Sequence, residues 1–333
     1  MDPCSRRRFL ASLAASWAAA AAGCAPGMRP VLNPVAAGAK GETFGFRKWV
    51  DPHADPDVML IGIHGFCGSS VDYTNLGEHL LEHQPRTGLY AYELRGQGSD
   101  PIHQRRGDIG SAREWCRDLL EFTRLVRSRH DGAKVVWYGE SMGALIAAHA
   151  WREAPAADPP CDGLVFSSPI VRFRDDIPAW TPGLVQVAAT TLPLARVSLE
   201  TLMGGQQVRV TQSAVHGEQV KANPYHVDHY TLRLIGTLAR LIDGMNGCAP
   251  TFRVPVLVLH GGRDYFNNDA DLRGFVARMP REAASTYRHY PKAYHLLMYD
   301  ERRVAVFRDV RRWIAKLRAG RLGKSAKNRR DST

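Results

Sequence analysis

Ser141 is the residue whose surroundings best suit nucleophilic chemistry: it lies at the centre of Gly139-Glu140-Ser141-Met142-Gly143. The apolar run Val135-Val136-Trp137-Tyr138 leads into this segment, and the small-residue stretch Ala144-Leu145-Ile146-Ala147-Ala148 follows it. A strand, a sharp turn and a helix are expected. Such a turn strains the serine backbone and needs glycine on both sides, because a Cβ there would clash with the adjoining strand and helix. The hydroxyl then stands above the sheet. It is a poor nucleophile at neutral pH, and needs an imidazole to take its proton and a carboxylate to orient that imidazole.

Both partners occur downstream. Pro255-Val256-Leu257-Val258-Leu259-His260 reads as a buried strand, and Gly261-Gly262-Arg263-Asp264 places a carboxylate just past its end, which makes Asp264 the candidate acid. Tyr287 to Tyr290 reads as the last strand, and Lys292-Ala293-Tyr294-His295-Leu296 places the candidate base, His295, in the following loop. Asp269 and Asp271 compete with Asp264 as the acid, but they fall where the next helix begins and fit caps or first-turn charges better. His260 reads as a structural histidine, Asp300 as a cap, and Glu140 is assigned no role.

Oxyanion stabilisation would come from a third segment. Val58 to Ile63 is an uninterrupted apolar run, and His64-Gly65-Phe66-Cys67-Gly68-Ser69-Ser70 follows it, where the backbone N–H of Phe66 could face a reacting carbonyl oxygen. The N–H of Met142, directly after the serine, would be the second donor.

The motifs His64-Gly65-Phe66, Glu93-Leu94-Arg95-Gly96-Gln97-Gly98, Gly139 to Gly143, His260 to Asp264 and Ala293-Tyr294-His295 together resemble the monoacylglycerol lipase and lysophospholipase branch of the α/β-hydrolases, also grouped as serine aminopeptidase-like. The chain order Ser141, Asp264, His295 is that of this fold. The resemblance covers roughly residues 43–318 and implies acyl transfer through a Ser-His-Asp triad. One departure is visible: the family's usual Asp-x-Arg-Gly-x-Gly-x-Ser begins here with Glu93 and ends with Asp100. That loop reads as mostly structural, so the triad assignment stands while the pocket rim could differ.

Strand patterns near 43–50, 58–63, 88–93, 134–138, 163–168, 255–260 and 285–290 alternate with helical patterns near 71–83, 111–130, 142–154, 269–279 and 301–318. They predict an α/β-hydrolase fold, a doubly wound, mostly parallel sheet. Residues 43–168 and 251–318 would form the core, with an inserted helical cap at 169–250. Within the cap, the apolar stretch Ile177 to Val197 is read mainly as buried cap core, with cover for a substrate channel as the other reading. Gly96-x-Gly98 lacks the third glycine of a dinucleotide-binding turn.

The N-terminus reads as targeting. Arg6-Arg7-Arg8-Phe9-Leu10 before the apolar stretch Ala11 to Ala22 resembles a twin-arginine export signal over residues 1–23, too short to span a bilayer. Ala21-Ala22-Gly23-Cys24 resembles a bacterial lipoprotein processing site, which would leave a lipidated Cys24 as membrane anchor; the other reading is ordinary cleavage that frees a soluble protein. Residues 24–42 would be a tether. The net charge of +11 is concentrated at the ends: three Arg and one Asp in residues 1–23, and seven Lys or Arg against Asp331 in residues 316–333, which leaves about +3 between. The basic tail, 319–333, reads as a solvated end, with contact to anionic lipid headgroups as the sharper alternative. Basic residues without interleaved aromatics exclude nucleic acid as a partner. Cys67, Cys116, Cys161 and Cys248 lack metal-ligand spacing and leave the disulfide state open.

The expected activity is ester hydrolysis on a single-chain lipid-like substrate at a membrane surface of the cell envelope, without metal or organic cofactor and without an obligate protein partner. Rival readings of the same residues are a short-chain or xenobiotic carboxylesterase or thioesterase, a cofactor-free peroxidase, and a non-catalytic lipid-binding lipoprotein.

Overall fold

The computed structural model describes residues 35–37, 42–155, 157–177, 180–202, 208–222 and 226–322. The candidate signal, Cys24 and the tail beyond 322 lie outside the described residues. In chain order the strands are β1 Val35–Ala37, β2 Glu42–Phe44, β3 Phe46–Trp49, β4 Val58–Ile63, β5 Thr87–Tyr92, β6 Lys134–Glu140, β7 Gly163–Ser167, β8 Arg196–Ser198, β9 His229–Thr231, β10 Val256–Gly261 and β11 Thr286–Tyr290. The helices are α1 Thr74–His83, α2 Ala112–Arg129, α3 Met142–Glu153, α4 Thr181–Thr191, α5 Leu199–Leu202, α6 Ala214–Ala222, α7 Leu232–Cys248, α8 Asp269–Ala277 and α9 Arg303–Arg318.

Seven strands form one sheet in the order β11-β10-β7-β6-β4-β5-β3, and only β3 runs antiparallel to its neighbour. Strands β4, β5, β7 and β10 are buried along their whole length. Helices on both faces explain why they read as continuous apolar runs rather than alternating ones. The period of two still sorts side chains between faces: Met59, Ile61, Val135, Trp137, Phe166 and Val258 share one core, and Val58, Leu60, Val136, Tyr138, Val165 and Leu259 the other. On the first face, Trp115, Leu119, Phe122 and Val126 of α2 recur at helical spacing; on the second, Val306, Val310, Trp313 and Leu317 of α9 do. Each such side chain contributes about 1.5–3 kcal/mol on burial.

Two details differ from the sequence reading. The expected strand at 43–50 is broken at Gly45 into β2 and β3, and β1 pairs antiparallel with β2 inside what was read as tether. The insertion between β7 and β10 contains α4 to α7 and the antiparallel pair β8–β9. Its stretch 177–197 is not buried cap core: Trp180, Leu184, Val187, Leu192 and Leu194 are 59–67% exposed. Helix α4 rests one side on α7, where a Cβ at Gly236 would stand 2.6 Å from Ala189 Cβ, and among the described residues the opposite side has no neighbour to bury it. Among the described residues no helix is long and apolar enough to cross a membrane.

Candidate active site

The turn between β6 and α3 holds Ser141 at φ 51° and ψ −115°, a left-handed backbone for a residue with a Cβ. Conformations of this kind cost about 1–3 kcal/mol and persist only where packing enforces them. Here the enforcement is steric. A Cβ at Gly139 would come within 2.5 Å of Ala144 N, and one at Gly143 within 1.8 Å of Ile63 O. The Ser141 N–H donates to Ser167 O at 2.9 Å, which ties the turn to the end of β7. Tyr73 OH pins the strands on the other side, donating to Tyr138 O at 2.7 Å and accepting from Ile63 N at 3.0 Å.

Asp264 and His295 come together from two loops packed on each other. Arg263 N donates to Ala293 O at 2.8 Å, and any Cβ at Gly261 would lie 2.2 Å from Tyr294 O. His295 Nδ1 is 2.9 Å from both carboxylate oxygens of Asp264. The carboxylate also accepts from Phe266 N at 2.8 Å and Asn267 Nδ2 at 3.1 Å. Burial works to raise its pKa, but the charge and hydrogen bond of His295, with those of Asn267 and Phe266, outweigh it and hold the group below the usual carboxylate range. An ionised Asp264 fixes the proton of a neutral imidazole on Nδ1 and leaves Nε2 as the basic nitrogen. Ser168, at φ 48°, donates through Oγ to His295 O at 2.7 Å. Ser167 and Ser168 therefore bind the serine turn and the histidine loop from adjacent positions.

The loop after β4 lies against the serine: a Cβ at Gly65 would be 3.4 Å from Ser141 Cβ. His64 Nε2 accepts from Leu94 N at 3.1 Å, so its other nitrogen, Nδ1, carries the proton and donates to Gly65 O at 2.9 Å. Gly68 N donates to the same oxygen at 3.1 Å. With that carbonyl held, the planar trans peptide aims the Phe66 N–H the opposite way, and no acceptor among the described residues takes it. Met142 is the first residue of α3, so its N–H has no intrahelical acceptor. The sequence reading treated His64 only as a motif letter; its aim at the adjacent carbonyl has no signal in spacing.

The remaining sequence candidates fall into structural roles. Glu93 accepts from Ser70 Oγ at 2.5 Å and Arg47 at 3.0 Å, and Asp100 from Gly96 N at 2.6 Å and Ile102 N at 2.9 Å, so both acids brace their loop. Asp269 accepts from Arg273 and Tyr287, and Asn268, not an aspartate, caps α8 through Asp271 N. Asp300 accepts from Tyr294 N at 2.9 Å and Arg302 N at 2.8 Å. His260, Asp269 and His289 cluster closely enough to suggest a cation, but the Tyr287 hydroxyl already bridges His260 Nδ1 and Asp269 Oδ1 at 2.9 and 2.7 Å. Glu140 is 1% exposed and its Oε1 has no hydrogen-bond partner among the described residues; burial above all, with the Asp72 charge, pushes its pKa well up and favours the protonated acid. Cys67, Cys116, Cys161 and Cys248 are all free thiols. Burial pushes the Cys67 thiol up to about 12 against the hydrogen bond from Tyr230 OH, so it packs beside the Phe66 loop as an inert group.

Residues 54–302 match the serine aminopeptidase S33 family. No curated protein matches the chain. Among solved structures, it is similar to a soluble variant of monoglyceride lipase from Saccharomyces cerevisiae in complex with a substrate analog, at 20% identity over 88% of this chain and 96% of that one, with a TM-score of 0.74. A monoacylglycerol lipase from Paleococcus ferrophilus is 20% identical over 82% of this chain and 99% of its own, with a TM-score of 0.68. A carboxyl esterase from Bacillus coagulans in complex with glycerol is 15% identical over 87% and 99%, with a TM-score of 0.70. Identities this low establish the shared fold and leave the substrate to other arguments.

Proposed function

Since the chain belongs to the serine aminopeptidase S33 family and has the α/β-hydrolase fold, we propose that it hydrolyses carboxylic esters through Ser141, His295 and Asp264. The observation that carries this reading is the buried His295–Asp264 pair at 2.9 Å, set on loops that share Ser167-Ser168 with the strained Ser141 turn. Ser141 Oγ attacks the ester carbonyl while His295 Nε2 takes its proton. Asp264 keeps the imidazole oriented and stabilises its charged form, and the Phe66 and Met142 N–H groups receive the oxyanion. His295 then gives the proton to the leaving alcohol, and water repeats the path to release the acid.

The insertion supports a substrate class. Five large apolar side chains between Trp180 and Leu194 are exposed on one short segment, a surface suited to a lipid aggregate. With the motif resemblance, this supports a single-chain lipid ester such as a monoacylglycerol or lysophospholipid. A panel of monoacylglycerols, lysophospholipids, short-chain esters, acyl-CoA thioesters and aminoacyl amides tests it. Preference for long single chains is the expected result, and a preference for short acyl groups would replace this substrate with the carboxylesterase reading. Export and lipidation at Cys24 would set the enzyme on the membrane bearing that substrate. Cys24→Ser should then shift the protein from the membrane to the soluble envelope fraction, and unchanged membrane association would contradict the anchor.

A further inference from the structure

The loop that bears His295 is gripped from two sides, and one of them belongs to the insertion. A single peptide unit, that between His295 and Leu296, shows both: its carbonyl accepts from Ser168 Oγ at 2.7 Å, and its N–H donates to Val210 O at 2.9 Å. Because a peptide is planar, these two bonds together fix the rotation of the backbone immediately after the imidazole. Tyr294, on the other side of His295, has the Arg209 guanidinium 5.2 Å from its ring centre and that of Arg263, the residue before Asp264, at 5.8 Å. Further along, Gln212, its amide turned nitrogen-first, donates to Glu301 at 2.9 Å, and the His216 and Tyr299 rings meet edge to face at 4.9 Å. The start of the insertion does the same for the acid: Arg174 donates to Tyr265 O and stacks 3.9 Å over the Tyr265 ring, directly after Asp264.

We propose that residues 208–216 are a strap that positions His295, so that the base is aligned for proton transfer only while the insertion is docked on the core. The proposal rests on the reading of Ser141 and His295 given above. Its physical basis is an asymmetry of attachment. Among the described residues a core contact holds the His295 carbonyl, whereas the facing N–H depends on the strap and the Tyr294 ring is shared between Arg209 of the strap and Arg263 of the core. If the insertion lifts to admit a substrate, Leu296 N–H loses its acceptor and Tyr294 one of its two cations, and the imidazole, still bonded to Asp264, loses the second constraint on its alignment until the insertion returns. Proton transfer is thereby confined to the closed, water-poor state. Arg209, Val210 and Gln212 are positioning residues: they act through the histidine loop.

The test uses the full chain in detergent with a soluble short ester, p-nitrophenyl acetate, and the rate of fluorophosphonate labelling, comparing wild type with Arg209→Ala, the Arg209→Ala/Gln212→Ala double variant and Arg209→Lys. The double variant should lose about 5- to 20-fold in kcat with KM within about twofold, since small misplacements of a catalytic group fall on the chemical step. Labelling should slow by the same factor, and Arg209→Lys, which keeps a cation over Tyr294, should recover much of it. Arg209 is exposed, so the single variant remains folded and should show a smaller change in the same direction. Unchanged kcat and labelling with a raised KM would overturn the strap and leave it as a wall of the substrate path. A wild type that is not labelled would instead overturn the underlying hydrolase reading.

Discussion

The serine turn and the histidine loop serve the same proposed reaction but are fixed by different means. The turn is built into the sheet: its strain is held by the carbonyl of Ile63, the helix start at Ala144 and the carbonyl of Ser167, all within the core. The histidine loop and its acid partner stand beyond the strand ends, and part of their support comes from exposed or half-exposed residues of the insertion, Arg174, Arg209 and Val210. On the proposed reading, the position of the nucleophile is a property of the fold, whereas that of the base is adjustable. In an enzyme that must open to admit a bulky ester, the adjustable element would sit where the moving part touches the catalytic set.

That contrast breaks most readily at Gly143. Gly143→Ala puts a methyl 1.8 Å from Ile63 O and 2.9 Å from His64 O, so it should cost more than about 4 kcal/mol, the range reserved for severe core disruption, and abolish labelling together with the folded state. A stable and labelled Gly143→Ala protein, seen by thermal melting and probe labelling, would remove the steric account of the turn. Asp264→Asn should leave the fold in place and lower kcat by about 10⁴-fold, because an amide permits the wrong tautomer of His295. Its pH behaviour has a definite sign. The depressed carboxyl lends stability that is fully present above its unfolded value of about 3.9 and is lost as pH falls through the lower folded value. Acid melts should therefore separate wild type from Asp264→Asn near neutrality and bring them together only in strong acid.

Arg174→Ala strikes the adjustable side alone. Loss of a stacked, partly exposed cation, about 0.5–2 kcal/mol, should reduce kcat roughly 3- to 20-fold with little change in melting temperature; a large fall in stability would place the Tyr265 turn in the rigid core instead. Glu140→Gln is the mildest and sharpens the comparison from the sheet side. A carboxyl whose folded pKa is raised keeps its proton while the unfolded chain releases one, so stability falls as pH rises from the unfolded value, about 4.3, towards the raised folded one. Glu140→Gln should remove this slope, gaining on wild type as pH rises from 5 to 8. Parallel stability curves for the two proteins would contradict a neutral Glu140.

The sheet, the serine turn and the loops bearing Asp264 and His295 were legible because each depends on local pattern. Buried parallel strands read as continuous apolar runs, and glycines at 139 and 143 announce a close approach of backbone before any neighbour is known. The roles of His64, Ser168 and Val210 were not legible. Each acts through a backbone group brought near by folding: Gly65 O, His295 O and Leu296 N. A valine carbonyl has no side-chain signature to betray it. The insertion misled in the other direction, since an apolar helical stretch reads the same whether it packs inward or stands free, and in α4 the outer row stands free.

The central claim is that Ser141 is a nucleophile activated by His295, and fluorophosphonate labelling of the folded full-length protein tests it without knowledge of the substrate. The account predicts rapid labelling of wild type, none of Ser141→Ala, and a loss of at least about 10³-fold in labelling rate for His295→Ala. Equal labelling of wild type and Ser141→Ala, or a folded wild type that does not react, would contradict it.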